Sequence, residues 1–343
     1  MDNITHSLFA LTLANAGLRR AGRGSTAALL IASNVPDIEV LTTLTGGRVG
    51  YLAAHRGPSH GPMGFALALA TGAIVWLAVR ATRRRGESAS LLALVGLSAI
   101  GVFGHILMDF ATSYGTRVLS PFRYTWYGVD WMPIVDVFLW AVLAAACIAA
   151  IVRPEWRARM AISALLVVGC DYAVRAAAHG IALHEAVRIQ AQATAMTTAH
   201  PGTVFSYLNK GDPSELPAAL PTLVSPFRWR LVTRVPGGFQ VRTLDLFDRT
   251  FEDDGIVFPD DHGPLVARAA SAPIAQIFLD FSRFPAADAI AHRDGRTTVH
   301  WYDMRFAEPP LSTGDGRHYT SPFAVWIRLS PSGDIIGQGL GPG

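Results

Sequence analysis

Six apolar runs, at about residues 7–18, 26–44, 62–79, 91–112, 132–152 and 160–180, occupy the first half of this 343-residue chain. They constrain the fold more than any other feature, because a helix needs about 20 predominantly apolar residues to cross a bilayer core. The last four runs approach that length. The first two are short or interrupted, the second by Pro36, and are read as half-helices, tilted or covered by neighbours, since irregular backbone survives at membrane depth only under protein or beside a water-filled cavity. Half of all residues are hydrophobic and 16% are charged, with a mean hydropathy of +0.30, well away from the balance of a soluble enzyme. The net charge is only +3 and the arginines sit in short loops. That argues against a nucleic-acid surface and for topology signals.

Arg19, Arg20 and Arg23 fall in one loop, Arg80, Arg83, Arg84 and Arg85 in a second, and Arg153, Arg157 and Arg159 in a third. The intervening loops are poorer, with Arg48, Arg56, Arg117 and Arg123. The positive-inside rule makes the three rich loops cytoplasmic, which puts the N-terminus outside and brings the chain out of the membrane on that same side after about residue 180. The opening "MDNITHSLFALTLANAGLRR" carries its basic residues after the apolar part, the reverse of a cleavable signal, so this segment is expected to stay. Cys147 and Cys170 lie inside apolar runs and read as buried thiols.

From about residue 181 the pattern changes. Residues 184–199 read as an amphipathic helix. "RWRLVTRVPGGFQVRTLDLF" reads as two strands around a Pro-Gly-Gly turn, and "RTTVHWYDMRF" and "SPFAVWIRLSPSGDIIGQGL" as further strands. The expected fold is a mainly α membrane domain over residues 1–180, of about five to six helices with some short or re-entrant, followed by a small α+β extracytoplasmic domain over 181–343.

Ionisable groups inside or beside apolar segments are costly and therefore functional candidates. Here they are Asp2, His6, Asp37, Glu39, His55, Arg56, His60, His105, Asp109, Asp130, Asp136 and Asp171. On the topology above, His6, Asp37, His55, His60, His105, Asp109, Asp130 and Asp136 all arrive at the outer side, although none of them was used to set that topology. His105 and Asp109 are four residues apart, which stacks an imidazole and a carboxylate on one helix face. Gly57 and Pro58 between His55 and His60 can bend the loop so that both rings point inward. Imidazoles and carboxylates are ligands for zinc, manganese and iron. In the second half His179, His184, His200, His262, His292, His300 and His318 show no ligand-like spacing, and "HEAVR" lacks the second His of a His-Glu-x-x-His helix.

The segments "MDNITHSL", "NVPDIEV", "HRGPSH", "GHILMDFATSYGTRVLSPF" and "WMPIVDV" together resemble the successive motifs of bacterial membrane-bound metal-dependent hydrolases of the YdjM type. The likeness runs over the first 140 or so residues in order. "SPFRWRLV", "FSRFP" and "WYDMRF" look more loosely like the outer tail of longer members. The resemblance implies metal-site roles for His6, Asp37, His55, His60, His105 and Asp109, with Asp2 and Asp136 as outer members. Three departures bear on the geometry: Glu39 stands at the second Asp of Pro-Asp-x-Asp, Ser59 and Gly61 replace Thr and Ser, and Val137 replaces the Pro after Asp136. The order of ligands is also remotely similar to that of zinc-dependent phospholipases C and single-strand nucleases, an analogy that tilts the substrate class toward phosphoesters.

These readings lead to a metal-dependent hydrolase of the bacterial inner membrane, multi-pass, with its site on the periplasmic side. One or two divalent ions, zinc first and Mn2+ or Fe2+ after it, would activate water. Asp136 or Glu39 would accept the proton, and Arg56 would hold an anionic substrate group or anchor the membrane edge. A lipid or lipid-linked ester entering sideways is the expected substrate. The competing classes are a non-enzymatic metal-binding scaffold or sensor with a closed ligand set, and an ion-coupled transporter, which should carry ionisable groups at both faces. Oligomeric state is not readable from the residues.

Overall fold

A computed structural model describes residues 1–82, 87–193, 216–252, 255–308 and 321–341. His200, His318, Arg83, Arg84, Arg85 and the end of the expected 184–199 helix lie outside the described residues. Contacts divide the chain into two units, one formed by Met1–Val40, Ala54–Ala177 and Pro221–Pro226, the other by Leu41–Ala53, Ala178–Leu220 and Phe227–Gly343.

The first unit is helical. Asp2 caps α1 (Asn3–Ala16) by accepting the amides of Ile4 and Thr5, both at 3.0 Å, which satisfies two of the donors that a helix start leaves open. The second apolar run is broken: α2 (Ser25–Ala32) stops short of Pro36, a 3-10 stretch covers Val35–Thr42, and α3 (Thr43–Ala54), kinked at Gly47, belongs to the other unit. The two parts of this run are bent by 46°, as expected where a proline removes a helix donor. Next come α4 (Met63–Ala81), α5 (Leu91–Phe110), α6 (Val137–Val152) and α7 (Arg157–Ala193). Helices α4, α5 and α7 are long and apolar enough to cross a membrane, and the bent pair would make a fourth crossing. Helix α6 has only 16 residues and α1 only 14, fewer than a bilayer core needs.

Helices α4 and α5 pack through Gly72, where a Cβ would stand 2.6 Å from the Val95 Cα. Close approach through small residues is how apolar helices associate without a hydrophobic driving force between them. Leu29, Leu94 and Leu139 are fully buried inside the unit, while Phe65, Leu69, Leu92 and Phe103 point outward and are more than half exposed, the inside-out arrangement that a bilayer would cover.

The expected helix at 184–199 is not separate. Helix α7 continues through Gly180 and His184 to Ala193, a rod about 55 Å long at 1.5 Å per residue, whose residues from Ala178 onward belong to the second unit. There Ala182, Leu183, Ala186 and Ile189 pack on Trp229, Leu231 and Leu244. The strands of this unit are antiparallel. Strands β2 (Arg228–Val235) and β3 (Gly238–Asp245) form a hairpin in which Val235 pairs with Gly238. Its two-residue turn uses Pro236 for φ and Gly237 at φ 82°. Strands β1 (Ala218–Pro221), β4 (Thr250–Phe251) and β5 (Ile256–Pro259) complete that sheet. The second sheet runs in the order β6 (Pro285–Ala291), β7 (Thr297–Asp303), β8 (Ala324–Leu329) and β9 (Ile335–Leu340). Helices α8 (Pro264–Ala270) and α9 (Pro273–Phe281) cover one face of it, burying Ala275 and Phe278 against Val299, Val325 and Ile327.

Candidate metal centre

The first unit gathers four ligand-bearing side chains from three places. His105 and Asp109 lie one turn apart on α5, Asp37 comes from the 3-10 stretch, and His60 from the short turn Pro58–His60 that precedes α4. Each offers an atom within 4.8 Å of all the others. His60 Nε2 lies 3.1 Å from His105 Nε2, 3.2 Å from Asp109 Oδ2 and 3.6 Å from Asp37 Oδ1. His105 Nε2 lies 3.5 Å from Asp37 Oδ1 and 3.6 Å from Asp109 Oδ2.

The tautomers follow from what lies behind each ring. His105 Nδ1 faces the Ser33 carbonyl at 2.8 Å, and a carbonyl only accepts, so the proton belongs on Nδ1. That carbonyl is free because α2 ends here and the Asp37 amide turns to Asn34 O instead, at 3.2 Å. His60 Nδ1 faces Glu39 Oε2 at 3.4 Å and Ser59 Oγ at 3.2 Å. Burial pushes the His60 imidazole down to about 4, so at neutral pH it is uncharged, with Nε2 a lone pair. Two imidazole lone pairs and two carboxylates therefore converge at 3.1 to 3.6 Å in a site where His60, His105 and Asp109 are all about 1% exposed. Lone pairs and carboxylates brought this close favour a cation between them, and together they make the N2O2 donor set that zinc accepts. Ring nitrogens turned onto a carboxylate or a carbonyl are also how metal-binding histidines are held.

Glu39 is a hub beneath the ligand loop rather than a member of the group. Its Oε1 accepts the Arg56 amide at 2.6 Å and lies 3.2 Å from His55 Nδ1, and its Oε2 accepts Ser59 Oγ at 2.6 Å. Arg56 takes the left-handed conformation, φ 48°, unusual for a residue with a Cβ. Its Nε lies 2.9 Å from Asp109 Oδ2, and its Nη1 donates to Thr112 Oγ1 at 3.0 Å and to the Gly115 carbonyl at 2.8 Å. These bonds pin the carboxylate of Asp109 and the start of the following loop.

The remaining sequence candidates fall in different places. His6 stacks on His105 with centroids 3.8 Å apart, and its Nε2 lies 3.4 Å from Asp109 Oδ1. Neither of its ring nitrogens has a hydrogen-bond partner, although the residue is fully buried. Asp109 thus turns one oxygen to His60 and the other to His6, and the Met1 amino group also touches Oδ1. His55 is not turned onto the group: the bend at Gly57 and Pro58 brings in only His60 and leaves His55 against Glu39 and Tyr114. Asp136 stands apart from the cluster. It caps α6 through the amides of Phe138 and Leu139 and pairs with Arg175 of α7 at 2.7 Å. Asp2 is likewise a cap, tied to Thr5 and to Trp140 Nε1. Motif reading did not foresee the Ser33 carbonyl or Ser59; for Ser33 the usable signal was the helix end forced by Pro36.

The family model described as "YdjM inner membrane protein" matches residues 1–182, more than half of the chain and all of the cluster. No curated protein and no solved structure matches the chain.

Proposed function

The chain belongs to the YdjM inner membrane protein family, and on that footing we propose that it is a multi-pass, metal-dependent hydrolase whose site opens at the outer face of the membrane. The observation that carries this reading is the convergence of His60 Nε2, His105 Nε2, Asp37 and Asp109 with their lone pairs facing one another. These four residues would hold one divalent ion, zinc by donor type. His6, whose ring nitrogens make no hydrogen bond, stands beside the second oxygen of Asp109, which already meets the Met1 amino group, so a second ion held there would have to displace that amine. A divalent ion bound there supplies Lewis acidity and brings the pKa of water toward neutrality.

The protein's own groups then have separate tasks. Glu39 and the Ser33 carbonyl orient the two imidazoles. Arg56 holds Asp109, which in this reading replaces the task of binding a substrate anion. Both carboxylates considered for proton uptake are committed: Glu39 accepts the Arg56 amide and Ser59 Oγ and holds His60, and Asp136 pairs with Arg175, so each orients its neighbours rather than taking up a proton. Asp37 is the open side of the group, its side chain 21% exposed where those of His60, His105 and Asp109 are nearly closed off. A substrate that reaches this side from the bilayer would be a lipid or a lipid-linked ester, phosphoesters first.

The count of four protein donors favours a second reading, a closed metal site in a scaffold protein, because catalytic zinc keeps a position open. One experiment separates the two. Purified protein should contain about one to two equivalents of metal, as the ligand count implies, and His105→Ala should lose it. Chelator-sensitive hydrolysis of phospholipids or lipid-linked phosphates should disappear in the same variant. Metal without any chelator-sensitive turnover across that panel supports the scaffold, and metal-free protein unaffected by His105→Ala removes both.

A further inference from the structure

The turn that follows the ligand-bearing end of α5 is apolar at its tip and braced at its base. Leu119 is 41% exposed, Phe122 80% and Tyr124 52%. The amides of Phe122 and Arg123 both return to the Leu119 carbonyl, at 2.9 and 3.0 Å, in a tight bend that leaves Phe122 outermost. Below it, Thr116 and Tyr127 exchange backbone hydrogen bonds at 2.6 and 2.9 Å, and the Arg117 amide donates to the Arg56 carbonyl at 3.1 Å. The buried Arg117 guanidinium lies over Trp126 at 4.4 Å and near Tyr124 at 5.8 Å. Ser120, fully buried, presses on Gly61, where a Cβ would stand 2.1 Å from its carbonyl oxygen. The turn is therefore fixed to the loop that carries His60.

A braced turn that displays Leu and Phe is not explained by water, because holding large apolar groups outward costs solvation and returns no packing. The same loop leads into α4, whose first turn is also apolar and exposed, Met63 at 48% and Phe65 at 74%. Two exposed apolar surfaces thus leave the ligand loop next to the end of a helix long enough to cross a membrane. Tyr124 and Trp126 with Arg123 are the residue types that settle at the headgroup level.

We propose that the Leu119–Tyr124 turn dips into the bilayer interface beside the metal-ligand loop, with Leu119 and Phe122 among the acyl chains and Arg123 at phosphate level. This rests on α4 being a membrane span and not on hydrolase chemistry. Its consequence is a continuous apolar margin along which an amphiphile reaches the ligand loop without leaving the leaflet.

The full chain carrying Cys147→Ala, Cys170→Ala and Phe122→Cys, labelled with a fluorophore and reconstituted in phosphatidylethanolamine–phosphatidylglycerol vesicles, tests it. Lipids brominated near the glycerol should quench the label and aqueous iodide should not, whereas Asp248→Cys on the exposed surface of the second unit should show the reverse. Iodide quenching at Phe122→Cys without bromolipid quenching overturns the proposal, and so does shielding from both, which would mean that protein covers the turn. Leu119→Cys carries the same readout if Phe122→Cys does not accumulate. Metal content measured on the same samples keeps the two readings apart. Failed insertion with metal retained ends only this proposal, and insertion without metal ends only the metal centre.

Discussion

Glu39 and Arg56 touch the cluster from behind, and their chemistry predicts distinct losses. Glu39→Gln keeps the shape but removes the charge that holds Nδ1–H of His60 and pairs with His55. Metal affinity should fall about 10- to 100-fold, the usual cost of losing an outer partner, as read by titration against a chelator. Arg56→Lys keeps the charge and loses the planar fork that reaches Asp109, Thr112 and Gly115 at once. If Arg56 positions Asp109, the lysine variant should also lose metal affinity. If it served as a point charge for a substrate anion, metal binding would stay intact. The His-x-x-x-Asp pair and the His-Arg-Gly-Pro-Ser-His loop were legible residue by residue. The different fates of His55 and His60 were not, because they depend on the φ of Arg56 and on a carboxylate 16 residues before His55.

At the scale of elements, α4 and α5 depend on Gly72, and α6 is tied to α7 by a buried ion pair. Gly72→Leu should push the helices apart at Val95 and cost about 1–3 kcal/mol, the range for overpacking, seen as a lower thermal midpoint in detergent. Arg175→Leu would leave Asp136 without its guanidinium partner at full burial. Breaking a buried pair from one side costs about 3–5 kcal/mol, so this variant should be strongly destabilised while the folded fraction keeps its metal. That outcome would separate Asp136 from the metal chemistry expected of it. Apolar length located α6 and the first part of α7. It did not reveal that Asp136 answers to Arg175, since a run of apolar residues reports burial and not the partner 39 residues further on. For the same reason the join between the 160–180 run and the expected 184–199 helix was not legible: packing of the later turns on Trp229 and Leu231 carries one helix through both.

For the whole molecule, the buried His60 couples folding to pH. Its ring titrates at about 4 in the fold against 6.5 in an open chain, so between those values the unfolded state binds the extra proton. Stability of the metal-stripped protein should be complete above pH 6.5, fall as pH drops through that window, and change no further through this group below about 4. The group's share is about 3 kcal/mol, from 1.36 kcal/mol per pKa unit. Bound metal needs the neutral ring and should resist the same loss until acid displaces it. Thermal midpoints across pH, with and without chelator, measure both.

The membrane character, the division into an apolar helical part and a later strand-rich part, the Pro-Gly-Gly hairpin and the ligand alphabet all follow from residue order alone, because each depends on local pattern: apolar length, period, turn chemistry and the ligands a metal accepts. Tertiary structure decided which of six candidate ligands converge, that Glu39 lies beneath them, and that Asp136 is a helix cap in an ion pair. Those outcomes depend on contacts between distant segments, where the free carbonyl left by one helix end or the guanidinium of another helix selects among side chains that the sequence makes equally eligible.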